Sequence, residues 1–214
     1  MIKKVRWPIR LFFLIWIAFL WFYIRSPFEF IFLNTILGYI PIEISFHINS
    51  KNNITFWFLT LIWLLFYPNA PYMLTDLFHL DRLQNYTGEA LLNLDFNTWF
   101  LFACLLISSI SLIILGMFSL ISVSNMINDK LSLNNRFSFF IISILLIFAS
   151  SVGVFIGRFL GLHTISFIKA PQHYFELFIN MWNHSMLVFV LILSIIQLVI
   201  YCLINAVIIG SKEG

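Results

Sequence analysis

Residues 67–80 read YPNAPYMLTDLFHL: two prolines and an asparagine cut off an apolar run, and an aspartate and a histidine follow within a dozen positions. Whether this break lies in water or at the mouth of a membrane segment decides the fold. Composition answers first. Of 214 residues, 61% are hydrophobic and 10% charged, with 26 Phe and 7 Trp. A soluble domain carries about a quarter charged residues, so a water-facing surface cannot be covered from this inventory. The fold class is all-α: a polytopic membrane protein, a bundle of about six transmembrane helices.

Six stretches are candidates for crossing, about 9–24, 27–46, 54–67, 98–123, 136–157 and 186–209, all within one integral membrane domain over 1–214. Lys3, Lys4, Arg6 and Arg10 ahead of the first stretch imitate a signal peptide. RSPFEF follows it, however, with no small-residue cleavage site, so the first span is read as an anchor. It is short for a core about 30 Å thick, and Arg10 and Arg25 are expected to snorkel from its ends. With the N-terminus inside, the inner side receives Lys3, Lys4, Arg6, Arg10, Lys51, Lys130, Arg136 and Lys212. The outer side receives Arg25, Arg82, Arg158 and Lys169. This imbalance puts both termini in the cytoplasm. YPNAPYMLTDLFHL and the run GRFLGLH at 157–163 then share the outer face.

Pro68 disfavours helix at Tyr67 and is expected to end the third span. Asn69 can cap a new helix that tolerates Pro71 in its first turn. Helical spacing then sets Tyr72, Asp76 and His79 on one stripe with Thr75 beside them. Downstream, Pro171 can start a similar helix with His173, Glu176, Asn180 and Asn183 on one side. Both are expected as short interfacial amphipathic helices on the outer side. Asp76-x-x-His79 and His173-x-x-Glu176 form two half-sites which, facing each other, would supply four ligands for zinc or manganese. Without an established zinc spacing such as His-Glu-x-x-His, no cofactor is strongly implied. Asp76 with Arg158 is the first pairing expected, either as a functional group at the outer mouth or as a clamp between the third and fifth spans.

Inside the spans, Glu43 and His47 stand four apart. They suggest a proton relay or, alternatively, a carboxyl hydrogen-bonded by Gln197 or Tyr201. Gln197, Tyr201 and Asn205 form a polar stripe suited to interhelical hydrogen bonds. Ala149, Gly153, Gly157 and Gly161 recur every four residues, a ridge that lets another helix approach and so fixes where Arg158 points. Lys and Arg sit singly at span ends rather than on one basic face, which excludes nucleic-acid binding. No Walker-type glycine loop is present for a nucleotide. Cys104 and Cys202 lie inside apolar runs and are read as small hydrophobes.

The PNAPY-x-x-TDL-x-HL core and the GRF run resemble the domain of unknown function 1361 family, bacterial predicted integral membrane proteins. The shared positions are Pro68, Asn69, Ala70, Pro71, Tyr72, Thr75, Asp76, Leu77, His79 and Leu80, then Gly157, Arg158 and Phe159. The resemblance implies a six-span protein of a bacterial plasma membrane. Two features depart from the family pattern: LHTISF follows the arginine motif where an Asn-Ser-Trp-Asp-like run is expected, and NTWF replaces an aromatic–aspartate pair at the fourth span.

Three functions compete. An outer-face site built on Asp76, His79 and Arg158, lined by Asn69, Tyr72, Thr75, His173 and Glu176, would bind or process an anionic lipid or envelope precursor by acid–base chemistry. No Gly-x-Ser-x-Gly nucleophile accompanies it. A small-solute or proton-coupled transporter would use Glu43 and the stripe of the sixth span. A structural or assembly subunit of an envelope complex would use the outer motif as a folding clamp. The partner common to all three is membrane lipid.

Overall fold

The computed structural model describes residues 5–25, 27–49, 52–83, 95–133, 135–161, 176 and 178–213. The described residues form seven helices: α1 (Arg6–Tyr23), α2 (Phe30–His47), α3 (Asn53–Phe66), α4 (Asn69–Asp76), α5 (Phe96–Lys130), α6 (Arg136–Phe159) and α7 (His184–Glu213). A 3-10 stretch, Leu77–Leu83, follows α4. Six apolar crossings result, the third of which runs through the break as Asn53–Leu80. The chain is an all-α multi-pass membrane bundle. Its outward faces carry large apolar side chains such as Leu14, Leu65, Leu145 and Val207, a surface suited to lipid.

Polar residues cap the starts of α3, α5, α6 and α7, where the first N–H groups lack intrahelical partners. Asn52 accepts from the amides of Ile54 and Thr55, Asp95 from that of Thr98, Asn135 from that of Ser138, and Asn183 from that of Met186. These side chains take up amides that the first turns leave without partners.

α5 is the central rod, touching α2, α4, α6 and α7. α1 packs on α2 and reaches α5 through Trp16 Nε1, which donates to Ser108 Oγ at 2.9 Å. A buried polar seam joins α6 to α7: Ser150 Oγ donates to Gln197 Oε1, while Gln197 Nε2 and Ser194 Oγ donate to Ser151 Oγ. Among lipid-covered helices such seams replace the hydrophobic effect as the adhesive.

The break at Pro68 differs from the expected end of the third span. Tyr67 and Pro68 both keep right-handed helical dihedrals, so the chain kinks without extending. α3 alone has 14 residues and spans only about 21 Å. α4 completes the crossing, and for that reason it is enclosed by α2, α5 and α6 instead of lying flat on the interface. Ala70, Met73, Thr75 and Asp76 are buried. Of the expected second short helix, residues 171–175 and 177 lie outside the described residues, while Glu176 and residues 178–180 are helical and exposed.

Three glycines, one from each enclosing helix, make room for the kink. A Cβ at Gly38 would stand 3.2 Å from the Asn69 carbonyl oxygen, one at Gly116 2.9 Å from Ala70 Cβ, and one at Gly153 2.5 Å from Pro68 Cγ. The ridge expected on α6 is therefore real at Gly153 and at Gly157, where the ring of Tyr72 lies over it. It is shorter than the spacing implied: Ala149 is exposed, and Gly161 has φ +61° just past the helix, where only a residue without Cβ turns freely.

Candidate functional site

Two prolines remove backbone donors from the kink, and the remaining amides rearrange. The Ala70 N–H bonds to the Tyr67 carbonyl, three residues back, leaving the Phe66 carbonyl without its usual α-helical partner. Asn69 Nδ2 donates to that carbonyl at 2.8 Å. Asn69 was expected to cap α4 and to line the site; it mends the kink instead.

One turn further on, the stripe expected from spacing is present and converges on α6. Arg158 Nη1 donates to Asp76 Oδ1 at 2.8 Å and to Tyr72 OH at 3.0 Å. Nη2 donates to the Thr75 carbonyl at 2.8 Å and meets His79 Nε2 at 3.1 Å. Because the guanidinium has no acceptor capacity, Nε2 must accept in that contact and the ring proton sits on Nδ1, an assignment from the network. The Tyr72 ring also lies under the guanidinium, 5.2 Å from its carbon. Thr75 contributes its carbonyl; its hydroxyl is turned back to the Tyr72 carbonyl.

Asp76 is wholly buried. Its second oxygen accepts from Asn34 Nδ2 of α2 at 2.6 Å, so both oxygens are engaged. Three helices thus meet at one carboxylate. A buried ion pair survives desolvation only when its remaining lone pairs and protons are occupied, and this one meets that condition. The rim is more open: the His79 and Arg158 side chains retain 23% and 17% of their exposure. Phe30 stands edge-on to His79, and Phe78 and Phe159 are exposed beside the cluster.

The second half-site does not join it within the described residues. His173 lies outside them, and no group of three or more His, Cys, Asp or Glu that could hold a metal occurs among them. Asp76 and His79, 3.9 Å apart, face an arginine where a metal would need to sit.

The remaining predicted intramembrane polar residues, Glu43, Gln197 and Tyr201, do not join this cluster. Glu43 belongs to α1 and α2: Arg10 grips its carboxylate through Nε and Nη2, Tyr39 OH donates to it at 2.7 Å, and His47 Nε2 lies 3.0 Å away. Arg10 was expected to snorkel, and Glu43 either to pair with His47, as it does, or to be held by Gln197 or Tyr201. Opposite charges at neighbouring helix ends have in addition found each other, which lowers the cost of both in lipid. Gln197 is committed to Ser150 and Ser151, and Tyr201 packs between Phe139 and Phe140. Asn34 and Glu43, nine positions apart on α2, hold the two ion-pair clusters about 14 Å from each other along the axis.

Sequence reasoning missed Asn34 and the Arg10–Glu43 pair. Each left a signal: an amide or carboxylate within an apolar run needs a partner from another helix. No curated protein and no solved structure matches the chain. A model of the family described as Protein of unknown function (DUF1361) matches residues 33–200, a segment that contains the kink, Asp76, His79 and Arg158, and the chain belongs to that family.

Proposed function

We propose that the Arg158 end of the bundle binds the anionic head of a membrane amphiphile, a phosphate-bearing lipid or envelope precursor, on the outer face of a bacterial plasma membrane. The observation that carries this reading is the division of labour within the cluster. Buried Asp76 fixes the guanidinium, while the partly exposed edge of Arg158 and His79 faces outward among exposed aromatic rings. Asp76 is then a positioning residue. The contact between Arg158 and His79 is the one that can open: an anionic oxygen inserting there would accept from Nη2 and, once the imidazole proton moves to Nε2, from the ring as well. Phe30, Phe78 and Phe159 supply the apolar neighbourhood for a hydrocarbon chain.

A purified sample titrated with a polyprenyl phosphate tests this. His79→Ala should weaken binding about ten-fold, the value of one hydrogen bond to a charged group, with the melting temperature unchanged. Binding unaffected by His79→Ala would leave the second reading, a folding clamp, which the complete engagement of Nη1 and Nη2 favours. The transport reading draws less support, because Glu43 and Gln197 belong to networks that share no residue.

The orientation, with both termini cytoplasmic, rests on eight basic residues at one side against four at the other. In a Cys202→Ser background a membrane-impermeant maleimide added to intact cells should label Glu176→Cys. It should label Asp129→Cys, at the opposite end, only after permeabilisation. The reverse pattern would invert the protein and move the site inside.

A further inference from the structure

Along its length α1 leans on α2 and leaves a groove of about 710 Å³ between them. Its walls are apolar, with Leu14, Ile17, Trp21 and Phe32, and its polar residues gather at one end as Arg10, Tyr39 and Glu43 beside Trp7. From Phe32 to Glu43 the groove follows α2 for eleven positions, about 16 Å. That is close to half of a hydrocarbon core about 30 Å thick, the depth of a single leaflet.

The charge at the polar end is unbalanced. Arg10 spends Nε and Nη2 on Glu43, Nη2 also meeting His47 Nε2 at 3.3 Å, and Nη1 makes no hydrogen bond among the described residues. Arg6 stands 5.9 Å from the Trp7 ring that Arg10 approaches at 4.9 Å. Two guanidinium groups thus gather at the Trp7 ring beside a single carboxylate, Glu43, which Arg10 alone grips, and Lys3 and Lys4 precede them in the sequence. Excess positive charge in front of an apolar trench of one-leaflet depth is complementary to an anionic lipid, in which a phosphate carrying net charge tops an acyl chain. A zwitterionic lipid would bring an ammonium group toward these guanidinium groups and has no net charge to offer them.

We propose that the α1–α2 groove holds one acyl chain of an anionic phospholipid, with the phosphate taken by Arg10 Nη1 and Arg6. This site is distinct from the Arg158 cluster and does not depend on that cluster binding anything.

Native mass spectrometry of the full chain, titrated separately with phosphatidylglycerol and phosphatidylcholine, tests it. The wild type should retain one phosphatidylglycerol per chain about five-fold better than phosphatidylcholine, the preference that about one basic residue confers at a membrane surface. Arg10→Gln should abolish that preference. Because Arg10 also ties α1 to α2, a second variant is needed: Ala18→Trp fills the groove from an exposed wall position and should lower retention of both lipids. Ala18→Trp should leave polyprenyl phosphate binding at His79 unchanged, which keeps the two sites separable. Equal retention of the two phospholipids by the wild type, or retention that Ala18→Trp does not reduce, would overturn the proposal.

Discussion

Arg158→Gln should be among the most destabilising single substitutions in this chain, costing about 3–5 kcal/mol, the penalty for stripping a buried charge of its partner. The carboxylate of Asp76 has no exposure. With the guanidinium gone it would keep only Asn34 Nδ2 as a donor. Glutamine is too short to reach the Tyr72 hydroxyl, Asp76 and the Thr75 carbonyl together, so three acceptors on α4 would lose their donor at once. The expected result is a large fall in thermal stability and in the yield of folded protein from membranes. Arg158→Lys should recover only part of it, since one ammonium on a flexible stem cannot reproduce the fork that spans Nη1 and Nη2. Measured melting temperatures in a lipid nanodisc would decide; a glutamine variant as stable as the wild type is incompatible with a buried pair.

The second large effect is at Gly153. An alanine there would put its methyl carbon 2.5 Å from Pro68 Cγ and 2.9 Å from Pro68 Cβ. A proline ring cannot swing aside as a leucine tip can, so α4 or α6 must move as a body. Overpacking of this kind costs about 1–3 kcal/mol, with valine above alanine. The displacement also separates Arg158, five residues along α6, from Asp76, so ligand binding should fall together with stability. Gly210→Ala is the control: nothing lies within 4 Å of a Cβ at that position, and replacing a helical glycine with alanine should be neutral or stabilising by up to about 1 kcal/mol.

Much of this was legible in the residues. Charge scarcity and six apolar runs dictated the membrane bundle. Helical spacing brought Tyr72, Asp76 and His79 onto one stripe, and an arginine at the end of a neighbouring span was their natural partner. The depth of α4 was harder to read. A proline-broken run with Asp and His resembles an interfacial segment, and only the shortness of α3 indicates that the crossing must continue through it. The partners of Asn34 and Arg10 escaped notice for a different reason. They stand 42 and 33 residues away, and a single sequence carries no register between helices. Gly116 gave no warning either, since an isolated glycine in a long apolar helix shows nothing of the methyl group pressed against it.

The convergence of α2, α4 and α6 on one carboxylate is tested most directly by a double-mutant cycle on Asp76→Asn and Arg158→Gln, read as unfolding free energies in the same lipid environment. Asparagine at position 76 removes the charge that Arg158→Gln strands, so the double variant should be more stable than Arg158→Gln alone. The coupling should fall at the upper part of the 0.5–3 kcal/mol range found for groups in contact. Losses that simply add, with no coupling between the two positions, would mean that Asp76 and Arg158 do not meet.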